Sequence, residues 1–176
     1  DDGGAQTQYV KVAVAETELA PPLSNYLFDG VPNSDPNRKV EPPVTATKEI
    51  AARYMKKALD LFEQEMIRPA YEQGAKLIVF PEYALTGPVF DRESILPYLE
   101  NVPSRGQFGV VKPCDVYRED DVNHVVLRTV SCLARRYNMY IVLNMGDVQP
   151  CDRSRDGHCP LDGRYQYNTQ VALSPD

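Results

Sequence analysis

One acidic residue directly follows a short apolar run in the stretch Leu77-Ile-Val-Phe-Pro-Glu82. The apolar residues predict a strand that is covered on both faces, because no polar residue interrupts them. Pro81 has no N–H group, so the hydrogen-bond ladder of a sheet ends there. Its fixed φ angle also makes the backbone rigid just before the side chain of Glu82. In α/β sheets chemistry gathers at the carboxyl ends of strands, where a partly desolvated carboxylate can act as a general base. Glu82 is therefore a candidate base, and the alternative is a solvated or ion-paired loop residue.

Four cysteines are the other residues that could carry chemistry. Cys151 and Cys159 flank a short polar loop, CDRSRDGHC, which can close on itself as a disulfide. Cys114 and Cys132 would then form a second pair, although four cysteines allow three pairings. Their even number favours an oxidising compartment. Zinc bound near His158 is the alternative, but no Cys-x2-Cys pair is present and we expect no metal.

Strands and amphipathic helices alternate along the chain and must position these residues. Valines alternate with small or polar residues over Tyr9–Ala15, which predicts a first strand. A helix is expected to begin at Thr45 or Thr47 and to end at Gly74, with a kink at Pro69. Its inward stripe, at steps of three and four residues, consists of Ala51, Met55, Ala58, Phe62 and Met66.

The rest of the chain continues the same alternation. Residues 20–44 are rich in proline and polar residues and predict a long loop. Leu77–Phe80 is the second predicted strand, followed by a helix over Val122–Tyr137 and a third strand over Tyr140–Leu143. Tyr165–Leu173 predicts a fourth strand. This order is that of an α/β layered domain.

Composition limits the classes of function. The 176 residues, with 43% apolar and 25% charged residues, fit one globular domain. The net charge of −6 argues against nucleic acid or an anionic membrane as the main partner. No apolar run approaches the ~18 residues that span a bilayer. Residues 1–6 are polar and indicate a mature end after processing or a start chosen for expression.

Two regions carry a family resemblance. The stretch from Leu77 to Glu82, with its tail Ala84-Leu-Thr-Gly87, resembles the glutamate motif of the nitrilase superfamily of carbon–nitrogen hydrolases. The stretch Asp162-Gly-Arg-Tyr-Gln-Tyr-Asn-Thr169 and the cysteines before it are similar to the vanin and biotinidase branch. The resemblance runs from about residue 9 to residue 173, and the second stretch is its more specific part.

The resemblance implies a fold and an activity. It implies a four-layer α-β-β-α sandwich, of which residues 1–176 form the amino-terminal half of one hydrolase domain. It also implies a secreted amidase that hydrolyses a small-molecule amide, such as pantetheine or a biotin amide, without metal or organic cofactor. A cysteine thiolate would form a thioester with the substrate, a lysine would stabilise the oxyanion, and Glu82 would be the general base.

The chain departs from the family in what it contains. The family's lysine and nucleophilic cysteine lie beyond the DGRYQYNT strand, and the four cysteines here match structural ones, so this chain alone is expected to be inert. Either a precursor is cut after about Asp176 and a second polypeptide supplies the rest, or the scaffold persists as a non-catalytic secreted binding or structural protein. Tyr83 also stands where close relatives carry an acidic residue.

Other residues carry weaker expectations. Asn168 and Thr169 match the family strand that lies near the site, although packing within the strand is the favoured interpretation. Tyr165 and Tyr167 share one face of that strand and are expected in the core. His124 is expected at the surface or in packing.

Overall fold

The computed structural model describes residues 10–16, 46–88, 90–104 and 111–176. The predictions for Tyr9, the 20–44 loop and Thr45 lie outside the described residues. The described strands are β1 (Val12–Val14), β2 (Leu77–Val79), β3 (Tyr140–Pro150) and β4 (Arg164–Leu173). The α-helices are α1 (Lys48–Phe62), α2 (Arg68–Glu72), α3 (Pro113–Val116) and α4 (Val125–Tyr137), with a π-helical turn at Glu63–Ile67 and a 3-10 turn at Leu96–Tyr98.

The four strands form one mixed sheet in the order β1-β2-β3-β4. The first three strands run parallel, with Val12 beside Leu77 and Leu77 beside Tyr140. β4 returns antiparallel along the whole of β3, so that Ile141 lies opposite Leu173. The helices between the parallel strands pack on one face of the sheet, as α/β connections require.

The first helix begins at Thr47, whose side-chain oxygen accepts a hydrogen bond from the Ile50 N–H at 3.4 Å. Pro69 cannot donate a helical hydrogen bond, and its ring would crowd the carbonyl four residues earlier. The π-helical turn before it widens the helix, with the Arg68 N–H bonded to the Glu63 carbonyl. The turn moves the buried face from Met66, which is only half-buried, to Ile67.

The second long helix begins three residues later than predicted, at Val125, because residues 122–124 form a turn. Asn138 ends it in the left-handed region with φ 46°, a common helix terminus. Val125 and Thr129 are only half-buried. The fully buried residues of this helix are Val126, Leu127, Val130, Ser131, Leu133, Ala134 and Tyr137.

β3 is much longer than the four residues predicted. Beyond the end of β2, the backbone of Glu100 takes over the same edge of β3. Its N–H donates to the Gly146 carbonyl at 3.1 Å, and its carbonyl accepts from the Val148 N–H at 3.0 Å. On the other edge, β4 pairs with all of the extra length, from Asn144 to Pro150, so β4 accounts for the long strand and Glu100 adds one bridge.

The hydrophobic core lies between the helices and one face of the sheet. Phe62 of α1 stacks on Phe80 with ring centroids 4.8 Å apart, and Ile78 and Ile141 complete this layer. On the opposite face of the sheet, apolar side chains of β1 and β3 are exposed: Val12, Val14 and Tyr140. Within the described ranges, no helix is long and apolar enough to cross a membrane.

Candidate active site

Glu82 lies two residues beyond the buried Phe80, at the carboxyl end of the central parallel strand β2. Pro81 separates the two and ends the ladder, as the sequence predicts. Residues 82–86 form a turn that closes with the Gly87 N–H bonded to the Tyr83 carbonyl at 2.8 Å. The Glu82 side chain is exposed in this part of the molecule.

Tyr83 adopts a left-handed backbone conformation with φ 59°. For a residue with a Cβ atom this conformation costs roughly 1–2 kcal/mol, and such strain clusters at functional sites. The Tyr83 N–H donates to Oδ1 of Asn144 on β3 at 2.9 Å, which stabilises the strained turn. The chain therefore changes direction immediately after Glu82, and β3 holds it there.

Two asparagines connect this turn to the Glu82 carboxylate. Asn144 Nδ2 donates to Asn168 Oδ1 at 2.5 Å and to the Thr169 carbonyl at 3.3 Å. Asn168 Nδ2 in turn donates to Glu82 Oε1 at 2.5 Å. We call these two residues the asparagine pair. The sequence favoured a packing role for Asn168, but the structure brings its side chain to the candidate base.

Polar side chains on one face of β4 reach the segment that carries Glu82. They occupy alternate positions along the strand, and we call them the β4 row: Arg164, Gln166, Asn168 and Gln170. Gln170 Nε2 donates to the Phe80 carbonyl at 3.3 Å, just before the candidate base. Asn168 holds Glu82 itself. Both contacts fix the end of β2 against β4.

The other half of the β4 row holds the segment farther along. Gln166 Nε2 donates to the Arg92 carbonyl at 3.0 Å. The Arg164 guanidinium contacts both carboxylate oxygens of Glu93 at 2.9 Å. Arg92 closes the cluster with two hydrogen bonds to Asp162, at 2.8 and 2.9 Å. These ion pairs lower the pKa of the Asp162 carboxyl, chiefly through the hydrogen bond from Arg92.

All four cysteines are joined in disulfides. Cys114 of α3 is bonded to Cys132 of α4, with Cα atoms 5.0 Å apart. Cys151 is bonded to Cys159, with Cα atoms 5.8 Å apart. The part of the chain that the structure describes therefore holds no free thiol that could act as a nucleophile. A disulfide sulfur is also no thiolate ligand, and no metal-binding group of His, Cys, Asp or Glu occurs among the described residues.

A second carboxylate, Glu100, is far more buried than Glu82. Its side chain is 2% exposed and accepts hydrogen bonds from the N–H groups of Val126 and Leu127, at 2.7 and 3.0 Å. Burial raises its pKa to about 7, against the opposing effect of those N–H groups and of Lys48. Its contacts are those of a helix cap. Sequence reasoning missed it, although an acid after the apolar run Leu96-Pro-Tyr-Leu99 was a signal.

The remaining candidates lie away from Glu82. His124 stacks on Tyr117 with ring centroids 3.8 Å apart and contacts Asp121 at 2.8 Å, a packing role of the kind expected. The expectation that Tyr165 and Tyr167 lie in the core is wrong. Tyr167 is 48% exposed, and the half-buried Tyr165 donates its hydroxyl hydrogen to Asp156, inside the loop between Cys151 and Cys159.

Comparison with known proteins decides the family. A family model described as carbon-nitrogen hydrolase matches residues 43–176. The chain belongs to the carbon–nitrogen hydrolase family. Its sequence is 44% identical to biotinidase of Takifugu rubripes over 138 residues, which is 77% of this chain and 27% of that protein. It is 44% identical to pantetheinase of Canis lupus familiaris over 74% of this chain and 24% of that protein. Human pantetheinase is 42% identical over 78% of this chain and 25% of its own length.

Membership of the carbon–nitrogen hydrolase family confirms the resemblance drawn from the LIVFPE and DGRYQYNT stretches, including its vanin- and biotinidase-like character. The fold, a mixed sheet covered by helices, is that expected of this hydrolase family. The chain spans about a quarter of the length of these relatives.

Proposed function

We propose that the full-length protein containing this chain is an amidase, in which Glu82 is the general base. The observation that carries the proposal is the hydrogen bond from Asn168 to Glu82, at the strand end where a carbon–nitrogen hydrolase motif stands. A family match gives the reaction class, and the contact gives the carboxylate a defined orientation. An unconstrained loop glutamate would have no such partner.

In the proposed reaction Glu82 transfers protons between three groups. It first takes the proton of a cysteine thiol, and the resulting thiolate attacks the amide carbon. A lysine stabilises the oxyanion that forms. The carbon–nitrogen bond breaks, the proton on Glu82 passes to the leaving amine, and a thioester remains. Glu82 then takes a proton from water, the hydroxide attacks the thioester, and the proton returns to the thiolate as the acid leaves. No metal or organic cofactor enters these steps.

The lysine and the cysteine would come from polypeptide outside this chain, since the relatives are about four times the length of the matched part. That polypeptide would be a further part of the same protein or a second chain released by cleavage. It would also complete a four-layer α-β-β-α sandwich. The exposed apolar residues Val12, Val14 and Tyr140 lie on the face of the sheet that a second sheet would cover.

Relatives of the chain suggest the substrate and the compartment. They are named biotinidase and pantetheinase, so we propose a small secondary amide, either pantetheine or a biotin amide. The two disulfides support a secreted protein, because such bonds persist in oxidising surroundings.

Turnover by the full-length protein tests this function. The protein would be incubated with pantetheine and with a biotin amide, before and after alkylation by iodoacetamide. We expect hydrolysis of at least one of the two amides and its loss on alkylation, since the cystines of this chain do not react with the reagent. Hydrolysis that survives alkylation would contradict the thiol mechanism. No hydrolysis of either amide would favour a non-catalytic protein that retains the scaffold.

A further inference from the structure

We propose that Asn168 is a positioning residue, which holds Oε1 of Glu82 and leaves Oε2 to accept the proton, and that the Tyr83 backbone sets the orientation of Asn168 through Asn144. The inference rests on the proposed function and deepens it. It concerns the direction of three consecutive hydrogen bonds, each of which depends on the one before.

The direction is fixed first at Asn144. A backbone N–H can only donate, so the amide atom of Asn144 that lies 2.9 Å from the Tyr83 nitrogen must be its oxygen. The Asn144 NH2 group therefore points the other way, towards Asn168 and the Thr169 carbonyl. That carbonyl can only accept, so a second backbone group requires the same orientation. Asn144 is 7% exposed and lies in the middle of β3, where its amide has little room to turn.

The orientation of the Asn168 side-chain amide is set by its hydrogen bond with Asn144. Because the Asn144 NH2 group donates to it, the near atom of Asn168 is Oδ1. The NH2 group of Asn168 therefore donates the hydrogen bond to Glu82 Oε1. A proton on Oε1 would set an O–H against an N–H, so the contact disfavours a proton on Oε1 and leaves Oε2 as the oxygen that can take one.

The same geometry assigns different tasks to the two oxygens of Glu82. Oε1 is held by Asn168, whereas the described residues leave Oε2 outside this chain of hydrogen bonds. A proton taken from a thiol or a water would then be carried on Oε2. The asparagine pair thus keeps one oxygen occupied and presents the other to the reacting groups.

A purely structural role for Asn168 is the alternative, and the β4 row supplies a matched control. Gln166 lies two residues away on the same face of the same strand and also donates an amide hydrogen bond. Its acceptor is the Arg92 carbonyl instead of a carboxylate. The Gln166→Ala change therefore removes the hydrogen bond to the Arg92 carbonyl and leaves the contact between Asn168 and the candidate base in place.

The test is a double-mutant cycle in the full-length protein, with kcat and KM as separate readouts. The variants are Asn168→Ala, Gln166→Ala, Glu82→Gln and the combination of Asn168→Ala with Glu82→Gln. A hydrogen bond to a charged group corresponds to roughly a 10- to 100-fold loss of kcat. We expect that loss in Asn168→Ala with little change in KM, and less than about a threefold loss in Gln166→Ala.

The combined variant separates the two hypotheses. If Asn168 acts through Glu82, adding Asn168→Ala to Glu82→Gln should cause no further loss of kcat. Equal effects of Asn168→Ala and Gln166→Ala on kcat would overturn the positioning role while Glu82 remained the base. Wild-type turnover in Glu82→Gln would instead overturn the proposed function.

Asn144→Asp tests the direction of the hydrogen bonds. The aspartate can still accept from the Tyr83 N–H, but it has no NH2 group to donate to Asn168. Asn168 would then turn and present its oxygen to Glu82. We expect a loss of kcat at least equal to that of Asn168→Ala, although Asn144 does not touch Glu82. Wild-type kcat in this variant would overturn the assigned direction, and if the variant fails to fold, the comparison of Asn168→Ala with Gln166→Ala decides.

Discussion

The carboxylate of Glu100 lies 2.7 Å from the backbone nitrogen of Val126, so an acid 26 residues earlier in the chain caps helix α4. The same carboxylate accepts from the next N–H, and its own backbone extends the pairing of β3. Lys48 of α1 donates to the adjacent Leu99 carbonyl at 2.6 Å. One buried residue thus joins the sheet to a helix that covers it.

Glu100 should make stability fall as pH rises. Burial raises its pKa from 4.5 to about 7, so the folded state binds this proton more tightly than the unfolded state. The corresponding contribution is fully present below about pH 4.5 and is lost as pH rises through 7. It amounts to roughly 3 kcal/mol. Urea unfolding at several pH values should show this decline in the wild type and not in Glu100→Gln. The exposed Glu93→Gln is the control, and the same decline in all three proteins would contradict the assignment.

A side chain at Gly146 should destabilise the fold. A Cβ atom at this position would lie 2.2 Å from Leu99 Cδ2, and Leu99 is itself buried. Gly146→Ala is expected to lower the free energy of unfolding by about 1–3 kcal/mol. Adding Leu99→Ala should cost less than it does in the wild type, because it removes the clash. Gly157→Ala, where nothing lies within 4 Å, is the control. If Gly146→Ala unfolds at the same urea concentration as the control, the close packing is wrong.

The two disulfides should stabilise the fold unequally. Cys114 and Cys132 are 18 positions apart in the sequence, whereas Cys151 and Cys159 are 8 positions apart, so the first pair closes the longer loop. A chain-entropy model assigns them roughly 3 and 2.5 kcal/mol. Replacing each pair by serine should lower the urea midpoint, with the larger shift for the longer loop. Midpoints equal to that of the wild type in both double variants would show that neither bond stabilises the fold.

The secondary-structure elements around Glu82 could be predicted from the local pattern of apolar residues. The run of apolar residues before Pro81 predicts a strand that ends at that point, and β2 does so. The helical stripe from Ala51 to Phe62 is also buried as expected. Both depend on neighbours within a few residues, which a sequence displays directly.

Long-range contacts explain what the sequence could not predict. β3 is long because β4 pairs with it from Ile141 to Pro150, and Glu100, 46 residues before Gly146, adds one bridge on the other edge. Asn168 meets Glu82 across 86 residues, and the alternate polar positions of β4 read equally well as an exposed strand face. The direction of the asparagine hydrogen bonds depends on the left-handed turn at Tyr83, a conformation that its residue type disfavours.

The kcat of Glu82→Gln in the full-length protein, beside that of Glu93→Gln, tests the central claim most directly. Both changes remove one exposed carboxylate from the same segment, and glutamine keeps the size of the side chain. General-base catalysis contributes roughly 10²–10⁴-fold, so we predict a loss of that size for Glu82→Gln with an unchanged melting temperature, and near-wild-type turnover for Glu93→Gln. Amide hydrolysis by Glu82→Gln within about twofold of the wild type would contradict the role of Glu82 as the base.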